Sequence, residues 1–339
     1  MQYRDVAIIG AGPVGLFAVF QCGMLGLSCH VVDALDMPGG QCAALYPEKP
    51  IYDIPGYPVI EAQALIERLA QQAAPFAPLY HLGHRVEKLE RRDAGGFHLE
   101  TAAGAAIAAG AVIIAAGVGA FGPNRPPLDG IESFEGSGVF YLVKRREDFR
   151  GLRIVIAGGG DSAVDWALSL AEIAARVMLV HRREKFRAAP ESLARLKGLV
   201  GAGKIELVAP YQLHALAGEN GRLDAVIVAD PDGGTRRLDA DRLLPFFGLS
   251  MNLGPIATWG LALDQHHIDI DPASGATSAP GIFAIGDIAH YRAKLKLILT
   301  GFAEAAQAAR AIFALVRPGE ALHFQYSTTT GVPPLHSVD

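Results

Sequence analysis

Cysteine is scarce in this sequence. Only Cys22, Cys29 and Cys42 occur in 339 residues, and no two of them form a Cys-x-x-Cys pair. That excludes a disulfide framework of the secreted kind, and no metal site is expected. Charge is scarce as well, at 19% of residues, and the balance is slightly acidic, with net charge −5 and a pI near 6.1. A general nucleic-acid binder would show the opposite balance. The N-terminus, Met-Gln-Tyr-Arg-Asp, lacks the charged-then-apolar order of a signal peptide, so a cytoplasmic protein is expected. No long hydrophobic run is free of glycine. The uncharged stretch 102–123 holds five glycines and reads as a hairpin leading into a buried strand at 112–116, not as a membrane span.

What is plentiful is core material. Half of the residues are hydrophobic, enough for about two domains of ordinary size. One pattern occurs twice. A short apolar run at 6–10 ends in Gly10-x-Gly12-Pro13-x-Gly15, followed by a helical stretch and a second apolar run at 28–32. A run at 154–158 ends in Gly158-x-Gly160-x-x-Ala163, again followed by a helical stretch and a run at 177–180. Each reads as a βαβ unit with parallel strands. The first glycine permits a tight turn, the second lets backbone approach a pyrophosphate, and the third position needs a small residue for helix–strand packing, where alanine suffices. The helix N-terminus then offers amide donors and a positive dipole to phosphates. One such turn is weak evidence for a nucleotide; two in full βαβ context point to two.

The position closing each second strand separates the nucleotides. Asp33 lies 23 positions after Gly10, where a carboxylate accepts hydrogen bonds from a ribose 2′-OH and repels a 2′-phosphate. The same offset after Gly158 falls on His181, followed by Arg182 and Arg183, with Arg187 nearby. By composition this is a solvated basic loop; at this offset it is a clamp for a 2′-phosphate. A third piece is Gly286-Asp287, ending an apolar run that begins at 281 and expected to feed a helix around 302–314. Its carboxylate suits the polyol chain of a flavin, and the helix dipole would favour reduced flavin, with Lys294 and Lys296 adding charge or joining Arg292 in a docking patch for an acidic partner. The fold expected is α/β, with two Rossmann-like (three-layer ββα) nucleotide-binding domains, the second inserted into the first. The first spans 1–117 and 248–339, the second 124–244, with hinge linkers at 118–123 and 245–247.

These residues resemble the ferredoxin/flavodoxin–NADP reductases of the thioredoxin-reductase-like type. The resemblance spans the chain and rests on the first glycine turn, Gly39-Gly40-Gln41, Leu45-Tyr46-Pro47-Glu48-Lys49, Ile51-Tyr52-Asp53, the run from Gly158 through Asp161, Ser162 and Ala163 to Ala167, His181-Arg182-Arg183 with Phe186-Arg187-Ala188, Gly286-Asp287, and the tail Tyr326-Ser327-Thr328-Thr329. It implies a homodimer with non-covalent FAD in each subunit, reduction by NADPH, and ferredoxin or flavodoxin as electron partner, with neither nucleic acid nor membrane involved. It implies that Tyr46 stacks on one flavin face and that the tail, supplied by the partner subunit, covers the other with Tyr326, leaving Ser327 or Thr328 near the flavin. Gln41 joins the FAD contacts, and Asp161, Ser162 and Ala163 the NADPH contacts.

Two other readings share the nucleotide sites. A thioredoxin reductase needs a Cys-x-x-Cys close before the second glycine turn, and residues 139–144 hold no cysteine; a glutathione-reductase-like enzyme needs a second cysteine at 47, which is Pro47. Cys42 alone leaves peroxide chemistry as a minor alternative. A flavoprotein that signals without turnover is the non-enzymatic alternative.

Overall fold

The computed structural model describes residues 2–322 and 331–332, with the side chains at 120–123 and 249–251 outside that description. The chain divides into two compact units, one made of Met1–Phe121 with Met251–Asp339 and the other of Gly122–Ser250.

The first unit opens with β1 (Tyr3–Ile9), α1 (Pro13–Met24) and β2 (Cys29–Asp33). β1 and β2 are parallel, with Val6 beside Cys29 and Ile9 beside Val32. Because successive strand residues point to opposite faces, Val6 and Ile8 enter the core under the helices while Ala7 and Ile9 enter the core on the other face. α2 (Gly40–Ala44), α3 (Ala62–Ala73), β3 (Leu79–Leu82), β4 (Val86–Arg91), β5 (Phe97–Thr101) and β6 (Ala106–Ile114) follow. The sheet order is β3-β2-β1-β6-β5-β4. β6 starts earlier than the expected 112, because it lies parallel to β1 from Ala108 onward while its first residues pair antiparallel with β5.

The second unit repeats the plan. It contains β7 (Arg153–Ala157), α4 (Asp161–Leu170), β8 (Arg176–Val180), α5 (Pro190–Gly201), β9 (Ile205–Val208), β10 (Gln212–Glu219), β11 (Arg222–Ala229), β12 (Thr235–Asp239) and β13 (Arg242–Pro245). A parallel sheet in the order β9-β8-β7-β13 carries α4 and α5 on one core, through Ile154, Ile156, Val164 and Leu196. The antiparallel sheet β10-β11-β12 covers the other core, through Val155, Val180, Val226 and Leu238. The second unit is thus built in ββα layers, while in the first α1 and the helix Ile298–Val316 cover one face of the mixed sheet and a second core fills the other. Pro245 still pairs with Ala157, so it closes a strand where a linker was expected to start.

The chain then completes the first unit. β14 (Ile282–Ala284) adds to β6 in parallel, a 3-10 turn covers Gly286–Ile288, and α6 runs Ile298–Val316. The helix expected around 302–314 therefore begins four residues earlier, at Ile298, after the turn and a short strand at Ala289–His290. α6 is one helix among the described residues long and apolar enough to cross a membrane. Its Ala305, Ala308, Ala309 and Ile312 are buried in the core shared with α1 and β6, as in the core helix of a globular unit.

Candidate functional site

In the first unit a cleft of about 400 Å³ opens at the carboxyl ends of β1 and β2, the usual ligand position in an open parallel sheet. Gly10, Gly12, Pro13, Asp33, Gln41, Tyr46 and Asp287 all line it. Gly15 does not; it lies one turn into α1. Gly12 caps α1 and Pro13 occupies the first helical turn, where its missing N–H costs nothing.

The glycines divide the work. A Cβ on Gly15 would stand 1.9 Å from the Gly10 carbonyl oxygen, so this position brings the helix onto the turn. A Cβ on Gly12 would meet no atom within 4 Å and would project into open space at the cleft. The second glycine pair closes around the first: the Gly39 N–H donates to the Ala11 carbonyl at 2.9 Å, and a Cβ on Gly40 would stand 3.1 Å from the Gly12 Cα.

Asp33 is held tightly. Its Oδ2 accepts the Ala11 N–H at 2.6 Å and its Oδ1 the Leu35 N–H at 2.8 Å. Burial pushes its carboxyl above the usual range, against those backbone donors. Asp287 lies near enough to Cys42 and Tyr46 for its charge to raise both, after burial as the main cause for each. The Cys42 thiol is pushed up to about 11, so it is a thiol at neutral pH and a poor nucleophile. The Lys49 ammonium sits 5.8 Å from the Tyr46 ring centroid.

The cleft has walls that no motif announced. His84, Arg85 and Val86 come from the start of β4, residues 252–256 and Trp259 from the segment after the second unit, and Leu297 and Ile298 from the start of α6. The Trp259 indole nitrogen is buried with no acceptor among the described residues, a donor a bound group can satisfy. With a carboxylate at the ribose position, an open glycine turn at a helix N-terminus and this donor, the cleft fits a dinucleotide with an unphosphorylated ribose.

In the second unit, Gly158 and Ala163 meet as the motif requires: a Cβ on Gly158 would lie 2.9 Å from the Ala163 Cβ. Gly160, like Gly12, would place a Cβ in open space. The arginine loop is stitched to this turn. The Arg187 N–H donates to the Gly159 carbonyl at 2.7 Å, and the Ala189 N–H to Asp161 Oδ1 at 2.8 Å. Asp161, expected among the cofactor contacts, is thus engaged in fixing the loop, and Ser162 follows it exposed in the first turn of α4. His181 packs its ring over Gly159 and against Phe186, 4.7 Å between centroids. Burial, then Arg182, Arg183 and Arg187, hold the imidazole below its ordinary value, and the three arginines themselves are exposed.

Lys294 departs from expectation. Its side chain is 4% exposed and ion-paired to Glu304 at 2.7 Å, which removes it from any docking surface. Lys296 is exposed and contacts the His267 ring nitrogen. Tyr326, Ser327 and Thr328 lie outside the described residues.

Two α/β units, each with a glycine turn at a helix N-terminus and a distinct polar group closing the second strand, define a two-dinucleotide α/β protein. Residues 4–311 match the pyridine nucleotide-disulphide oxidoreductase family, and the chain belongs to that family. It is 67% identical to a ferredoxin–NADP reductase of Paramagnetospirillum magneticum over 97% of this chain and 98% of that protein. A ferredoxin–NADP reductase of Rhodospirillum rubrum is 63% identical over 97% and 96%. Among solved structures, the thioredoxin reductase of Lactococcus lactis superposes with a TM-score of 0.80 at 25% identity, covering 93% of this chain and 99% of that one. That of T. acidophilum, with a TM-score of 0.81 at 24% identity and the same coverage, shares the fold.

Proposed function

We propose that this protein is a ferredoxin–NADP reductase: a cytoplasmic, homodimeric flavoenzyme that takes hydride from NADPH and passes single electrons to ferredoxin or flavodoxin. FAD, held non-covalently, supplies the conversion between the two-electron and one-electron chemistry. The observation that carries this reading is a cleft flanked by Asp33 and Asp287 in a chain with no cysteine between residues 43 and 339. Hydride can be accepted, but no dithiol is available to pass it to a disulfide.

This chain's residues have separable tasks in that reading. Gly12 and the first turn of α1 bind the pyrophosphate; Asp33 receives the adenosine ribose, and Asp287 the ribityl chain. Tyr46 orients the isoalloxazine ring and screens one face from water. Gly160, Ala163 and the start of α4 bind the NADPH pyrophosphate, and Arg182, Arg183 and Arg187 take its 2′-phosphate. Tyr326, supplied by the partner subunit, is assigned to the second flavin face, with Ser327 or Thr328 near the flavin; if Tyr326 occupies the place where nicotinamide stacks, it must give way for hydride transfer.

The test is direct. The purified protein should be yellow, with about one FAD per chain released on denaturation. With NADPH it should reduce ferredoxin or flavodoxin steadily and thioredoxin negligibly. Efficient thioredoxin reduction, or a protein without affinity for FAD, would overturn the reading.

A further inference from the structure

Among the buried residues of α6, Glu304 is the one charged residue, set among Gly301, Ala305, Ala308 and Ala309. It meets Lys294, whose side chain is equally enclosed, at 2.7 Å from one carboxylate oxygen and 2.9 Å from the other. Both grip the same backbone residue. The Gly286 N–H donates to Glu304 Oε2 at 2.7 Å, and Lys294 Nζ donates to the Gly286 carbonyl at 2.6 Å. The Tyr291 hydroxyl donates to Glu304 Oε1 at 3.0 Å.

The site is crowded for a reason visible in the glycines. Gly286 has φ +75°, and α6 approaches it so closely that a Cβ on Gly301 would stand 2.4 Å from Val14 in α1 and 3.3 Å from the Gly286 Cα. Val14, Gly286 and Asp287 line the cleft; Lys294 and Glu304 do not. A buried ion pair is poor value for stability, since apolar residues of the same volume commonly serve as well. A satisfied pair does give direction, because its bonds allow one arrangement only.

We propose that Lys294 and Glu304 are positioning residues of the FAD cleft: an ion pair that clamps Gly286 by its N–H and its C=O, holds Asp287 toward the cleft, and brings no net charge to it. This rests on the FAD reading above. The pair's neutrality has a consequence that packing alone does not. Glu304→Gln leaves the Lys294 cation uncompensated beside the cleft and should raise the flavin reduction potential. Lys294→Met leaves the Glu304 carboxylate and should lower it.

The experiment compares wild type, Glu304→Gln, Lys294→Met and the double variant Lys294→Met/Glu304→Met. FAD is titrated into each apoprotein, apoprotein melting is recorded, and the potential of each reconstituted protein is measured against a reference dye. The expected result is a rise of about tenfold or more in the FAD dissociation constant for each single variant, as befits the loss of a charge-assisted bond, with potentials shifted in opposite directions. The double variant should recover the wild-type potential but not the wild-type affinity. Potentials that move in the same direction or not at all, or affinities that stay at wild type, would overturn the proposal. If the single variants do not fold, the double variant decides by affinity: native melting with weakened FAD binding supports the clamp, and unchanged binding refutes it. Wild-type apoprotein that fails to bind FAD at all would instead refute the underlying function.

Discussion

Replacing Arg182 and Arg183 with alanine should convert a strong preference for NADPH into near indifference between NADPH and NADH. Both side chains are exposed, so truncation opens no cavity and the fold should survive. Their roots do not drift, because the Arg187 N–H bonds Gly159 and the Ala189 N–H bonds Asp161 at the glycine turn. A charge-assisted hydrogen bond to a phosphate is worth about 1.5–3 kcal/mol, and solvent exposure keeps each arginine near the lower half of that range. Each single substitution should therefore raise the NADPH KM about 10- to 30-fold. The double substitution should cost less than the product, since both guanidiniums grip one phosphate. NADH carries no 2′-phosphate, and its KM should move by less than about twofold. The kcat with saturating NADPH should hold, because the contact is remote from the transferred hydride and equal in ground and transition states. Steady-state kinetics with both nucleotides, at two ionic strengths, measure all of this, and the wild-type advantage for NADPH should shrink at high salt. Equal losses with NADH and NADPH would show that these arginines hold the loop or the pyrophosphate, and the assignment of specificity would fail.

Other perturbations separate structure from binding. Gly15→Ala, whose Cβ would meet the Gly10 carbonyl oxygen at 1.9 Å, should destabilise the apoprotein by about 2 kcal/mol or more in a denaturant titration; Gly12→Ala should leave apoprotein melting unchanged yet weaken FAD at least about tenfold, and the reverse ranking would contradict the roles given to these glycines. With its thiol near 11, about one Cys42 in a thousand is ionised at pH 8, so alkylation of native protein should be slow and Cys42→Ser should keep turnover within about twofold; a dead variant would revive thiol chemistry. His30 and His81, whose ring nitrogens lie 3.0 Å apart, are both held below the ordinary 6.5 by burial. The unfolded chain therefore takes up protons first as pH falls below 6.5, and the folded protein loses stability through that window and no further once the lowered folded values are passed. Apoprotein melting should drop from pH 7.5 to 5.5, and less so in His81→Gln; a pH-independent melt would count against the pair.

Both glycine turns, the carboxylate closing β2 and the arginines after β8 were legible because they obey local geometry: a fixed strand–turn–helix–strand length brings the position 23 residues after each first glycine to the end of the second strand. The ends of elements were less legible. β6 was expected to start at Val112 because Ala106–Ala111 carries almost no alternation, and pairing with β1 and β5 extends it. The start of α6 was placed near Phe302 because its first turn has no capping side chain to mark it. Lys294 read as charge near the flavin or as part of a docking patch, and its ion pair with Glu304 was not foreseen, because a lysine's partner ten residues on, across a loop and a helix turn, leaves no periodic trace.

The sequence by itself determined the repeated βαβ plan, the insertion of one unit within the other, the carboxylate and the arginines that close the two second strands, and the lack of a Cys-x-x-Cys pair, since each depends on residue type at short, regular spacing. The tertiary structure alone decided which walls enclose the cleft, that Asp161 secures the arginine loop, and that Lys294 and Glu304 close on Gly286. These contacts join segments 10 to more than 200 residues apart, and only the packing of helices onto a shared sheet brings such segments within hydrogen-bonding distance.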